Sequence, residues 1–237
     1  MPIFDHEVSL AADLAPLVGP PWAQGTHRDV TARLVQLGWT PCGVGDWAVG
    51  LRSPSGLLAA RVCPFDPAYV AFIDLCRRCA GNPYLPRIER ADALDGGGTL
   101  TVMEFLAPVE EAVAAAVQRR WTQWAPRADG QPADPAFELV RQVAHQVDAE
   151  YRTAMPWWDG IDLNEGNVRR AVDGRVTVID VFCMDGAALY AQVLADASVV
   201  RARMGEEHTR HLLDIPYIAR ESSPQEIGAL RRAWGKG

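Results

Sequence analysis

The sequence predicts an α+β protein in two parts, a small antiparallel sheet followed by a mainly helical part that holds one hairpin. Three observations carry that prediction. Up to about residue 105, short apolar runs alternate with turns punctuated by glycine and proline. From Pro108 onward, apolar residues recur at helical spacing. Inside that helical part, one strand–turn–strand signal is centred on Asp173-Gly174.

The elements follow in order. Residues 1–24 carry Pro2, Pro16, Pro20 and Pro21, which leave room for a short helix at most. Thr26 to Leu37 reads as a helix with Val30, Leu34 and Leu37 on one face. Trp39 to Gly45 reads as a glycine-punctuated turn. Trp47–Arg52 and Leu57–Val62 read as a hairpin around SPSG. Asp66-Pro67 is a cap-and-proline start for a helix with Tyr69, Phe72, Ile73 and Cys76 on one stripe, and GNPYLP ends it. Strands are expected at 86–90 and 99–106, and helices over 109–124 and from Phe137 to Tyr151, separated by the polar linker 127–135. The strands Val168–Val172 and Arg175–Val181 form the late hairpin, and the tail from Ala187 is helical with a loop near Pro216. The expected division is an N-terminal extension with a helix over 1–37, a sheet part over 38–105 and a short helical part over 106–237.

Composition narrows the function. The chain has 237 residues, 49% of them apolar, enough to bury a sizeable core. A formal charge of −7 argues against a general nucleic-acid binder. No apolar run approaches the roughly 18 residues of a membrane span, so a cytoplasmic protein is expected. Five cysteines at irregular spacings suit reduced thiols, and the Cys76/Cys79 pair reads as helix packing because a second ligand pair is absent. Of 23 cationic side chains only Lys236 is a lysine, so no internal lysine can do chemistry.

GIDLNEGNV, residues 160–168, places Asp162 and Asn167 five apart, and Asp180 follows the apolar run VTVI. Taken alone, Asp162 and Asn167 read as turn-capping side chains. Taken with Asp180, they supply a carboxylate to orient a hydroxyl and an amide–carboxylate pair of oxygen donors for Mg²⁺. DLNEGN resembles the catalytic loop of the protein-kinase-like fold, VID at 178–180 resembles the start of its metal-binding segment, and the 13-residue interval between Asn167 and Asp180 is typical of it. TVMEFL (101–106) resembles the strand leading to the segment between the two lobes. GVGDWAVG (43–50) lies where the glycine-rich phosphate loop belongs. The resemblance spans roughly residues 38 to 186, nearest to short kinases of tailed bacteriophages and bacteria and to aminoglycoside-phosphotransferase-like proteins.

That resemblance implies a two-lobed kinase-like fold and an ATP- and Mg²⁺-dependent phosphotransferase, acting on a protein hydroxyl or a small-molecule variant of that acceptor. It implies Asp162 as the base and Asn167 and Asp180 as the metal ligands. It implies Gly43 and Gly45 at the phosphates, Met103 as gatekeeper, and Glu104 to Leu106 offering backbone hydrogen bonds to adenine. Arg61 stands where the family has a phosphate-binding lysine, and a forked guanidinium is no simple substitute. Asp74 is the nearest acid on the helix that should carry the partner glutamate. Gly160 and Ile161 replace the usual histidine and arginine, Asn164 stands at a position often basic, and Val181-Phe182 follows Asp180. These departures keep two alternatives in play: a pseudokinase that binds a protein or peptide, and a nucleotidyl transferase. Trp157 and Trp158 read as packing residues, Glu165 as solvated, and His145, His208 and His211 as isolated.

Overall fold

The structure is a computed structural model that describes residues 3–19, 21–123 and 134–235. Trp124, Lys236 and most of the 127–135 linker lie outside the described residues. In chain order the helices and strands are α1 (Ile3–Leu14), α2 (His27–Gln36), β1 (Thr40–Val44), β2 (Val49–Arg52), β3 (Leu58–Cys63), α3 (Pro67–Arg78), β4 (Ile88–Ala93), β5 (Thr99–Glu104) and β6 (Leu106–Pro108). There follow α4 (Glu111–Thr122), α5 (Pro135–Ala154), β7 (Trp158–Ile161), β8 (Val168–Ala171), β9 (Val176–Val178), β10 (Phe182–Met184), α6 (Gly186–Met204), α7 (Glu206–Thr209), α8 (Pro216–Glu221) and α9 (Pro224–Trp234). This is an α+β order with a small antiparallel sheet ahead of a helical part that holds the predicted hairpin.

Two compact units interleave along the chain. One comprises residues up to 66, 88–105 and those from 186 onward; the other comprises 67–87 and 106–185. That grouping differs from a linear division at 37 and 105, and the core explains why. The first unit holds a five-stranded antiparallel sheet in the order β1-β2-β3-β5-β4. Leu17, Trp22, Val30 and Leu34 share a buried cluster with Leu58, Val62, Leu100 and Val102, so the N-terminal segment covers one face of the sheet. Thr26 caps α2 in a reciprocal box with Asp29, which holds the start of that covering helix.

Three strands were not legible as such in the sequence. The segment Trp39–Gly45, expected as a turn, contains β1, which is fully exposed and carries a register shift between Pro41 and Gly43. Proline and glycine are poor strand formers, so pattern alone hides it. The second unit contains β7 paired with β10, and a separate sheet in the order β6-β8-β9. The expected strand from Arg175 to Val181 is shorter than its pattern: β9 covers only Val176–Val178 and pairs with β8, and after Val181 β10 pairs with β7. In the same unit, α3 packs on α5 and β10. The α5 stripe of Phe137, Val140, Ala144 and Val147 is buried as its spacing predicts. Cys76 and Cys79 are buried free thiols, and burial, with Cys79 alongside, pushes Cys76 up to about 12. Among the described residues no helix is long and apolar enough to cross a membrane.

Candidate functional site

The second unit brings Asp162, Asn167 and Asp180 together through two short ladders. Val168 pairs with Val178, and one residue further Ile179 N donates to Asn167 O at 2.8 Å. On the other side Ile161 pairs with Phe182, and Asp162 N donates to Val181 O at 2.9 Å. The chain changes ladder between Ile179 and Val181. Asp180 makes that change with φ 51°, a left-handed conformation that aspartate tolerates better than most residues. Asn167 spans the junction: its Nδ2 donates to Asp180 O at 2.8 Å and to Asp162 O at 3.2 Å. With the amide nitrogen committed to two backbone carbonyls, Oδ1 is the atom it has left for a ligand.

The loop between is held from three directions. Residues Glu165–Asn167 form a single 3-10 turn, closed by Asn167 N donating to Asn164 O at 3.0 Å. Asn164 Nδ2 donates to the Asp162 carboxylate at 3.3 Å, so this asparagine braces the candidate base. Gln118 Nε2 on α4 holds Leu163 O at 2.9 Å. Upstream, Gly160 sits at φ 114°, and a Cβ there would lie 2.3 Å from Arg152 Nη2 and 3.0 Å from Asp148 Oδ1. Arg152 reaches Asp159 O at 3.3 Å, and Trp158 Nε1 donates to Asp148 at 2.7 Å. Glycine at 160 is thus a backbone requirement of this loop entry. Trp158 packs between Tyr151 and Phe182 with ring centroids 5.3 and 5.5 Å away, the packing role its sequence context suggests.

The electrostatics converge on the same place. Burial, then the charges of Asp159, Asp162 and Asp180, push the Cys183 thiol up to about 12. Its Sγ lies 3.8 Å from Asp159 Oδ2 and 3.5 Å from Gly160 O. The acids that act on this thiol offer oxygen donors, the kind a hard cation such as Mg²⁺ takes.

The remaining sequence candidates are distributed as follows. In the first unit Gly43, Gly50, Arg61 and Thr101 form one row across β1, β2, β3 and β5. Strand alternation puts Arg61, Thr101 and Met103 on the face opposite the apolar cluster of Leu58, Ala60, Val62, Leu100 and Val102. Gly43 lies within β1, and Gly45 N closes the β1–β2 turn on Ala48 O at 2.9 Å. Neither glycine has positive φ, and a Cβ on Gly43 would meet nothing within 4 Å. Arg61 Nη2 donates to Asp66 Oδ2 at 2.5 Å, while Asp74, the nearest acid by sequence, pairs instead with Arg78 at 2.7 Å in the second unit. Asp66 escaped notice because an acid before Pro67 reads as a helix cap. Met103 is buried opposite Ala59 and Ile88, and Glu104 pairs with Leu58. Phe105 N donates to Leu57 O at 2.7 Å, so the expected backbone offer over Glu104–Leu106 does not include that amide. Leu106 opens β6 in the second unit, opposite Ala171 of the hairpin.

No family model matches the chain, and no curated protein matches it. Among solved structures the chain is similar to the aminoglycoside phosphotransferase APH(3'')-Id from Streptomyces rimosus, at 17% identity and a TM-score of 0.35, over 87% of this chain and 98% of that one. At that superposition the likeness assigns no residue and no substrate.

Proposed function

We propose that this chain transfers the terminal phosphoryl group of ATP to a hydroxyl acceptor, with Mg²⁺ as cofactor. The observation that carries the reading is the Asn167 amide, tied by its nitrogen to Asp162 O and Asp180 O and so set between the two acids. Asp162, exposed and braced by Asn164, accepts and orients the acceptor hydroxyl. Asn167 Oδ1 and the Asp180 carboxylate are the residues that would hold Mg²⁺, and the donor set fits an oxygen-seeking cation. Bound there, the ion would supply charge neutralisation at the phosphates. A protein hydroxyl is the first acceptor proposed, and small alcohols are the second. Gly43 and Gly45 are proposed at the phosphates because an exposed glycine strand lets backbone approach a ligand closely.

One observation favours a second reading, a nucleotide- or peptide-binding module without transfer. Arg61 is already paired with the buried Asp66, so its charge is partly spent within the sheet. The two readings separate in one experiment: ATP titrated calorimetrically with and without Mg²⁺, alongside γ-labelled transfer to self, to lysate proteins and to small alcohols. Transfer abolished by Asp162→Ala, with Mg²⁺-dependent ATP binding abolished by Asp180→Ala, supports the enzyme. Binding without transfer to any acceptor supports a nucleotide-binding module, and neither ATP binding nor transfer by folded protein sinks both the enzyme and that module.

A further inference from the structure

Away from Asp162 and Asp180, the first unit gathers three metal-ligating side chains from distant parts of the sequence. His27 is the first residue of α2, while His211 and Asp214 bracket the 3-10 turn Leu212–Asp214. Sequence context leaves His211 isolated. In the structure its ring meets that of His27 edge to face, with centroids 4.8 Å apart and planes at 68°. His211 Nδ1 lies 3.1 Å from Asp214 Oδ2, and His27 Nε2 lies 3.6 Å from the same oxygen. One ligand atom from each of the three residues falls within 4.8 Å of the others. A tetrahedral ion with bonds of about 2.0–2.1 Å sets its ligand atoms roughly 3.3–3.5 Å apart, a spacing that these two distances bracket.

We infer that His27, His211 and Asp214 bind one divalent ion of borderline softness, such as Zn²⁺, with water completing its coordination. Two imidazoles and a carboxylate suit that class, whereas Mg²⁺ and Ca²⁺ prefer oxygen donors throughout. The surroundings are built for it. Both rings are largely buried, with side-chain exposures of 12% and 16%. Arg28 Nη2 donates to the other carboxylate oxygen, Asp214 Oδ1, at 2.8 Å and so fixes the orientation of the third ligand. Gly96, at φ 78°, backs the His211 ring so closely that a Cβ would lie 2.4 Å from its Cδ2. Asp214 Oδ2 faces both rings, and a dication between the three would let both imidazoles coordinate in their neutral form. The nitrogens that face Asp214 Oδ2 are His27 Nε2 and His211 Nδ1, and the opposite ring nitrogens, His27 Nδ1 and His211 Nε2, are buried with no hydrogen-bond partner among the described residues.

The ion would clip two segments together, the start of α2 and the turn at 211–214. Gly25 O accepts from Asp95 N at 3.0 Å just before α2, and Arg210 pairs with Asp95 at 2.8 Å just before His211. The ion thus reinforces a junction that Asp95 already ties to both segments within one unit, a structural role independent of any phosphoryl transfer.

The test is calorimetric titration of Zn²⁺ into the full chain, stripped with chelator and held in excess Mg²⁺, with thermal midpoints measured in parallel. The expected result is one equivalent bound and a raised midpoint. His27→Ala and His211→Ala should weaken binding by about 100-fold or more, and Arg28→Ala by about 10- to 100-fold as an outer-shell loss. Asp214→Asn keeps the shape while removing the charge, and His145→Ala on α5 should change nothing. With Co²⁺ in place of Zn²⁺, visible absorption bands should appear in the wild type and vanish in His211→Ala. Absence of stoichiometric binding by the folded wild type, or equal binding by wild type and Asp214→Asn and His211→Ala, would overturn the inference.

Discussion

Asn167 is the residue on which the candidate site turns, and its two nitrogen-donated hydrogen bonds make it testable. Asn167→Asp keeps a ligand oxygen but replaces the amide nitrogen with an oxygen facing Asp180 O and Asp162 O. Two lost bonds and a new repulsion should cost about 2 kcal/mol, or about 30-fold in Mg²⁺-ATP affinity by calorimetry. An unchanged affinity would remove Asn167 from the metal site. Gly160 is a different kind of requirement, because it belongs to the backbone. In Gly160→Ala, the Arg152 guanidinium can swing away from the new Cβ, but φ 114° cannot relax without moving the loop. A loss of about 1–3 kcal/mol in denaturant unfolding is expected. Gly43 should behave in the opposite manner. A Cβ there meets nothing and φ is not positive, so Gly43→Ala should leave stability within about 0.5 kcal/mol. If the glycine serves close approach to phosphates, ATP affinity falls in that variant while its unfolding curve stays put.

At the scale of elements, what was legible depended on whether a segment's local pattern agreed with its final pairing. α2, α3 and α5 carry amphipathic stripes, with side-chain caps on α2 and α5, and their positions were readable within a few residues. The late hairpin was readable from Asp173-Gly174, and Gly174 does take φ 88°. β1 was not, because Pro41 and Gly43 speak against a strand and only the pairing with β2 makes one. β7 and β10 were not, because each is three or four residues long and its partner lies about twenty residues away. The spacing of Asp162, Asn167 and Asp180 was legible, but the ladder switch that places Asp180, and the bracing by Asn164 and Gln118, were not. α5 also offers a test of its own first turn. Two hydrogen bonds from Arg141, with Gln142 adding a third, hold the Glu138 carboxyl below the usual glutamate range. A depressed folded value means that this stabilisation is present above the unfolded value and disappears as pH falls through the folded one. The difference in thermal midpoint between wild type and Glu138→Gln should therefore be full near neutrality and close in acid, below about pH 4. A gap independent of pH would show that the carboxylate charge is not what Arg141 reads.

Across the whole molecule, the C-terminal segment completes the sheet unit by holding the tip of its glycine hairpin. Tyr217 N donates to Asp46 O at 2.8 Å, and the Arg220 guanidinium pairs with the Asp46 carboxylate. Asp46 follows Gly45 directly, inside the turn that joins β1 to β2. The hairpin tip is also held by Gly45 N on Ala48 O and Cys63 Sγ on Trp47 O, and among the described residues β1 is the edge strand beside β2. Without the α8 contacts, a fully exposed strand carrying a proline and a glycine would rest mainly on its pairing with β2, so its opening free energy should be low. Arg220 and Asp46 are both well exposed, so their ion pair contributes little to global stability. Arg220→Ala should therefore leave the global midpoint nearly unchanged yet speed hydrogen exchange at the Gly45 amide. Truncation before Pro216, which removes the backbone bond as well, should speed exchange throughout β1 while the amides of α5 keep their protection. Equal loss of protection in both units would mean that they unfold together; a Gly45 amide indifferent to either change would mean that the hairpin is held by β2 alone.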